Sequence, residues 1–214
     1  MRFEINGISF STREIKEISI SLIILSFAFS LVLYTEKIFG ATFNYELSFF
    51  LNSLLVVGLA FILHEELGHK LVAQRYGYWA EYRAWPMGLF LALLLGVISR
   101  GAFVFAAPGA VMISGSRRVA SVTKEKMGKI AVAGSVVNII LCIIFIFLAV
   151  IFGSSLFIMA AQVNVFLALF NMIPIGMLDG LKVMRWDRRV WGGVLGISII
   201  LFFISGTIGI LTMM

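Results

Sequence analysis

Between Lys129 and Asp179 the chain runs for 49 residues, 130–178, without a charged side chain. A water-soluble domain needs polar groups on every face that meets solvent, so such a run belongs in lipid. Composition agrees. Apolar residues make up 61% of the 214 and charged residues 13%, and the mean hydropathy is +1.05, more apolar surface than a core of this size can hide. Further charge-free stretches cover 18–35, 47–63, 84–99, 101–116 and 190–214. A helix crosses the hydrocarbon core in about 20 residues. Segments 18–35 and 47–63 therefore read as one span each, 130–178 as two broken at Gly153-Ser154-Ser155, and 190–214 as a last one. The expectation is an α-helical, multi-pass integral membrane protein with about five transmembrane helices, forming a single membrane-embedded domain over 1–214.

Cytoplasmic loops collect Lys and Arg, which orients the spans. Arg2, Arg13 and Lys16 precede the first span and put the N-terminus in the cytoplasm. Lys70, Arg75 and Arg83 follow the second, and Lys182, Arg185, Arg188 and Arg189 follow the run 130–178. Arg117, Arg118, Lys124, Lys126 and Lys129 fall on the same side only if 84–116 does not cross. That segment is expected to be a re-entrant or membrane-edge hairpin on the cytoplasmic side. Of the 17 basic residues only Lys37 and Arg100 then escape the cytoplasmic loops. The bias places the C-terminus outside, and a plasma-membrane location is expected. The net charge of +6 is thereby explained by topology, and no nucleic-acid partner is expected.

Two segments read as strands. Residues 1–16 contain an apolar/polar alternation over Arg2–Ser11 around Asn6-Gly7, the signature of an N-terminal β-hairpin. Gly101–Ile113 is β-rich, with Pro108-Gly109 as its expected turn. The charged N-terminal segment does not resemble a cleavable signal peptide, so 18–35 is expected to persist as a span. Cys142, the single cysteine, reads as a small core residue. Trp79, Tyr82, Trp85 and Trp186 read as anchors at the membrane interface.

Ionisable groups inside membrane segments are costly and mark function. The second span ends in His64-Glu65-Glu66-Leu67-Gly68-His69, which holds both histidines of the chain. Asp179 ends the charge-free run and sits in an Asp-Gly turn pair. The charge bias places both groups at the cytoplasmic ends of their spans, where they can meet. Imidazoles and carboxylates at three positions form the ligand set of a catalytic Zn2+, and a further carboxylate takes a proton from water. Asn138, beside Gly134 and Ser135 at the start of the span 130–152, is an amide at lipid depth, suited to a peptide carbonyl or to a helix partner.

These elements resemble the site-2 protease family of intramembrane zinc metalloproteases, over about residues 60–186. The family carries His-Glu-x-x-His on one helix, then Ala-Gly-Pro-x-x-Asn, then Asn-x-x-Pro…Asp-Gly. Ala133, Gly134 and Asn138 match the second element, with Ser135 in place of the proline, and Asn171, Pro174, Asp179 and Gly180 match the third. The resemblance implies hydrolysis of peptide bonds in or near membrane segments, at a site near the cytoplasmic face. It implies His64, His69 and Asp179 as zinc ligands, Glu65 or Glu66 as the catalytic base, and Asn138, Gly134 and Asn171 as substrate-binding residues. The partners would be the lipid bilayer and a membrane-protein or membrane-adjacent peptide. An exposed strand edge around Phe103–Ala107 or Val111–Ile113 would suit an unwound substrate.

One departure stands out. His64 and His69 are five residues apart, one more than in the family, and on a regular α-helix such residues point about 140° apart. A π-bulge would bring both imidazoles to one metal. Alternatively the helix stays regular, Glu65 becomes a ligand and Glu66 the base. In the third case the site is broken and the chain is a catalytically inactive relative. A transporter or channel could use the same buried His, Glu and Asp groups, but it does not require the Asn-x-x-Pro…Asp-Gly spacing.

Overall fold

The computed structural model describes residues 2–5, 8–38, 47–99, 104–114 and 121–213. Its elements are β1 (Arg2–Ile5), β2 (Ile8–Ser11), α1 (Thr12–Ile38), α2 (Leu47–Ile62), a π-helix (Leu63–Lys70), α3 (Leu71–Arg75), β3 (Trp79–Ala84), α4 (Pro86–Ile98), β4 (Gly109–Ser114), α5 (Lys124–Phe152), α6 (Ser155–Asn171), α7 (Asp179–Trp186) and α8 (Arg188–Met213). They form two compact units, one of Met1–Phe61 with Glu81–Ala110, the other of Ile62–Ala80 with Val111–Met214. This is a helical membrane protein. Among the described residues, three helical stretches are long and apolar enough to cross a bilayer: Phe50–Arg75, Lys124–Phe152 and Arg188–Gly209. Pro86–Ile98 and Ser155–Asn171 are shorter apolar helices.

In the first unit β1 and β2 pair antiparallel, from Arg2 opposite Ser11 to Ile5 opposite Ile8. The Asn6-Gly7 turn itself lies outside the described residues. Helix α1 starts with a reciprocal cap. Ser11 Oγ accepts from the Glu14 N–H at 3.1 Å, and Glu14 Oε2 lies 3.4 Å from the Ser11 N–H. The other Glu14 oxygen accepts from the Tyr82 N–H at 2.7 Å. Glu17 Oε2 accepts from the Ala84 N–H at 3.0 Å. Tyr82 and Ala84 are two apart in β3, so their N–H groups leave the same side of the strand, and two carboxylates occupy that edge. Tyr82 is fully buried, its hydroxyl 2.9 Å from Ser21 Oγ and its ring edge-on to Phe61. It is therefore a core residue and not the interface anchor expected from its type.

The segment 84–116 also differs from the expectation. Helix α4, begun by Pro86, has 13 residues and is about 20 Å long, short of a bilayer's ~30 Å. The Trp85 N–H donates to the Pro108 carbonyl at 2.7 Å and ties the two ends of the excursion together. Residues 101–103 lie outside the described residues, and 104–108 is not a strand. Pro108-Gly109 is not a hairpin turn either, because no strand runs into it over 104–108. Gly109 instead opens β4, which pairs with β3. A Cβ at Gly109 would come within 2.3 Å of the Arg83 carbonyl and the Tyr82 hydroxyl.

In the second unit α5 is the central helix, packed on α6, the π-helix, α7 and α8. Thr123 Oγ1 caps its start by accepting from the Lys126 N–H. Gly153, at φ +58°, ends it in the left-handed conformation that glycine adopts freely, so the chain turns back into α6 at the expected break. Cys142 is buried among α5 and α6 residues. After α6 a tight turn over Met172–Leu178, with Gly176 at φ +59°, delivers Asp179 to the start of α7. Trp191 of α8 fixes this turn by donating from Nε1 to the Met172 carbonyl at 2.8 Å.

Glu14 makes charge-assisted hydrogen bonds in a fully buried position, worth about 1.5–3 kcal/mol each. Glu14→Ala is expected to lower the Tm of the detergent-purified protein by several degrees, measured by intrinsic fluorescence. An unchanged Tm would contradict this assignment.

Candidate metal centre

The span that begins in α2 passes into eight π-helical residues, Leu63–Lys70. The first N–H beyond them, that of Leu71, donates to the Glu66 carbonyl five residues back. A turn closed at this spacing stacks residue i+5 over residue i. His64 and His69 thus share a face, with Nε2 atoms 3.0 Å apart and rings edge-to-face. Of the two local geometries open from the spacing, the backbone has the bulged one.

Asp179 meets them. Its Oδ2 lies 2.9 Å from His69 Nε2 and 4.0 Å from His64 Nε2. Ligand atoms about 2.0–2.1 Å from a tetrahedral zinc stand roughly 3.3 Å from each other. The observed separations bracket that value, and among the described residues these three form the one group placed to hold a metal.

The surrounding hydrogen bonds set the imidazole protons. His69 Nδ1 lies 2.8 Å from the Ile130 carbonyl, which can only accept, so Nδ1 carries the proton and Nε2 presents a lone pair. His64 Nδ1 lies 3.0 Å from the Asn138 amide nitrogen, and Asn138 Oδ1 is buried without a partner among the described residues. A half-turn of the amide, exchanging two nearly isosteric atoms, puts Oδ1 on Nδ1–H and satisfies both groups. Two nitrogen lone pairs and a carboxylate oxygen then converge in a buried space. That donor set calls for a cation, and zinc fits it.

Glycine makes the convergence possible. A Cβ on Gly134 would lie 2.5 Å from His69 Nε2 and 2.7 Å from His64 Cε1. A Cβ on Gly68 would lie 2.5 Å from the Gly134 Cα. The π-helix and α5 therefore cross backbone to backbone at two glycines, as close helix approach in lipid requires.

The two glutamates differ. Glu66 Oε2 is 2.9 Å from Lys70 Nζ, both buried. Glu65 is 6% exposed, and its Oε2 has no hydrogen-bond partner among the described residues.

Of the other expected site residues, Gly134, Asn138 and Asn171 bear on this cluster, and Glu65 adjoins His64 in the chain. Gly134 packs on both imidazoles, and Asn138, fully buried, has its amide on His64. Asn171 Nδ2 lies 3.3 Å from His64 Nε2. Three groups were missed: Lys182, the Ile130 carbonyl and Lys70. Lys182 had a signal, since three residues along a helix puts it on the face of Asp179. The carbonyl had none.

A protein of Methanocaldococcus jannaschii bearing the name "Putative zinc metalloprotease" is 39% identical over 196 residues, which cover 89% of this chain and 93% of the relative. The chain belongs to the site-2 protease family of zinc metalloproteases. No family model and no solved structure matches it. Membership of the site-2 protease family accords with the ligand types gathered here.

Gly134→Ala, the smallest change at the crossing, is expected to cut zinc affinity by at least about tenfold, the scale of losses around metal ligands. Competition with a fluorescent chelator measures this, and unaltered affinity would show that the glycine crossing is not needed for the site.

Proposed function

We propose that this chain is an intramembrane zinc metalloprotease that hydrolyses peptide bonds in or beside transmembrane segments. The observation that carries the reading is the convergence of His64, His69 and Asp179 through a π-helix, next to a buried Glu65 oxygen without a partner. In this reading five helices cross a plasma membrane around one domain, the N-terminus is cytoplasmic and the site lies near the cytoplasmic face. The cytoplasmic bias of Lys and Arg supports that orientation.

His64, His69 and Asp179 would hold the metal. A zinc ion held there supplies Lewis acidity, polarising a peptide carbonyl and making water a nucleophile at neutral pH. Glu65 accepts the proton of the attacking water and passes it to the leaving amine. Glu66, engaged by Lys70, keeps the π-helix in register and takes no proton. Asn138 and the Ile130 carbonyl hold the imidazole protons on Nδ1, and burial keeps bulk water away from the donors. The half-buried Asn171 has amide hydrogen-bonding capacity to offer a substrate carbonyl.

A substrate helix hides its backbone in its own hydrogen bonds and must unwind before it is cut. Strand addition would hold the unwound peptide. The β3–β4 sheet has two strands, and two N–H groups on the outer edge of β3 are already bonded to Glu14 and Glu17. The edge of β4 over Val111–Ile113 is therefore the side assigned to substrate.

In proteoliposomes carrying a membrane-spanning peptide, Glu65→Gln is expected to lower the cleavage rate by at least about 100-fold, the scale of general acid–base catalysis, with zinc content unchanged. Glu66→Gln should lower the Tm yet keep zinc and most of the activity. A zinc-loaded wild type that cuts no membrane segment would contradict the reading. A proline at Val111 or Met112, at whichever directs its N–H away from β3, should abolish cleavage and leave zinc content intact. Undiminished cleavage would exclude strand addition at β4.

A further inference from the structure

The Asp179 carboxylate is gripped from two sides. Its Oδ2 faces the imidazoles, 2.9 Å from His69 Nε2, while its Oδ1 lies 2.8 Å from Lys182 Nζ. Asp179 opens α7 and Lys182 stands three residues along it, one turn away on the same face. An i,i+3 pair on an exposed helix would be ordinary. This one differs because the Asp179 side chain is only 13% exposed and its second oxygen belongs to the donor cluster.

A carboxylate with both oxygens free can close on a cation through either one or two of them. An ammonium on Oδ1 occupies lone pairs that a second bond to the metal would need. Oδ2 is then the only oxygen offered, and the donors number two nitrogens and one oxygen. Catalytic zinc sites keep three protein ligands and leave the fourth position to water or substrate. A two-oxygen grip by Asp179 would fill that position with protein.

We propose that Lys182 is a positioning residue that holds Asp179 to one oxygen and so keeps the fourth coordination position open. The inference rests on the metal reading of the preceding subsection. It assigns Lys182 no contact with substrate and no proton transfer.

The test uses the full-length, detergent-solubilised chain, stripped of metal and loaded with Co2+, with azide as the probe of the open position. Wild type and Lys182→Arg are expected to show the intense visible absorption of four-coordinate cobalt, and added azide should shift it. Lys182→Met, with the second Asp179 oxygen taking the fourth position, should show an altered visible spectrum and bind azide about tenfold more weakly or worse, as for other residues that orient a ligand. Lys182→Ala makes the same test if the methionine variant does not fold. A lysine that only stabilised α7 would change the Tm and leave the cobalt spectrum alone. An unchanged spectrum and unchanged azide affinity in a cobalt-loaded Lys182 variant overturn the proposal while leaving the metal centre standing. If wild type takes up no cobalt, or Asp179→Ala takes it up equally well, the metal reading fails and the role of Lys182 fails with it.

Discussion

His69 follows His64 by five positions, and a regular α-helix would turn their imidazoles to different sides. The π-helix over Leu63–Lys70 removes that conflict by closing each turn one residue later. The rest of the second unit is arranged around the result. Gly68 and Gly134 let α5 approach the widened turn, the Ile130 carbonyl and Asn138 of α5 take the two Nδ1 positions, and the turn after α6 brings Asp179 up from the opposite side. A π-helix is less well packed than an α-helix and is retained where function uses it. Here it also places Lys70 on Glu66, a buried ion pair within the widened segment. Such a pair gains little net stability, but it commits one of two neighbouring glutamates and leaves the other with an oxygen that has no hydrogen-bond partner among the described residues.

Much of this was legible in the sequence, for physical reasons that can be named. Lipid forces charge out of spanning segments, so the few ionisable residues at lipid depth stood out, and His64, Glu65, His69 and Asp179 were found that way. The break between α5 and α6 was legible because Gly153 ends a helix as few other residues can. The clash between the five-residue spacing and a straight helix was visible as a conflict. Its resolution was not, since local sequence does not say which of two helix types the packing of α5 will favour.

What was misread shares one cause. Strand β3, Trp79–Ala84, is six residues long and aromatic, and in a membrane protein Trp and Tyr suggest the lipid interface. The partners that make Tyr82 a core residue, Ser21 and Glu14, lie 61 and 68 residues away. The Pro108-Gly109 pair misled in the same way. Its turn chemistry was real, but 104–108 forms no strand, and the Pro108 carbonyl is bonded by the Trp85 N–H, more than 20 residues upstream. Lys182, by contrast, was readable from helix periodicity beside Asp179.

The central claim is that two imidazoles and one carboxylate bind a single zinc through the bulged helix. X-ray absorption at the zinc edge, on the purified protein loaded with one equivalent, counts imidazoles directly by their multiple-scattering signature. Two imidazoles with a first shell near 2.0–2.1 Å, falling to one in His64→Ala and in His69→Ala alike, is the predicted result. One imidazole in the wild type, unaffected by His64→Ala, would contradict the account and put Glu65 in the place of His64.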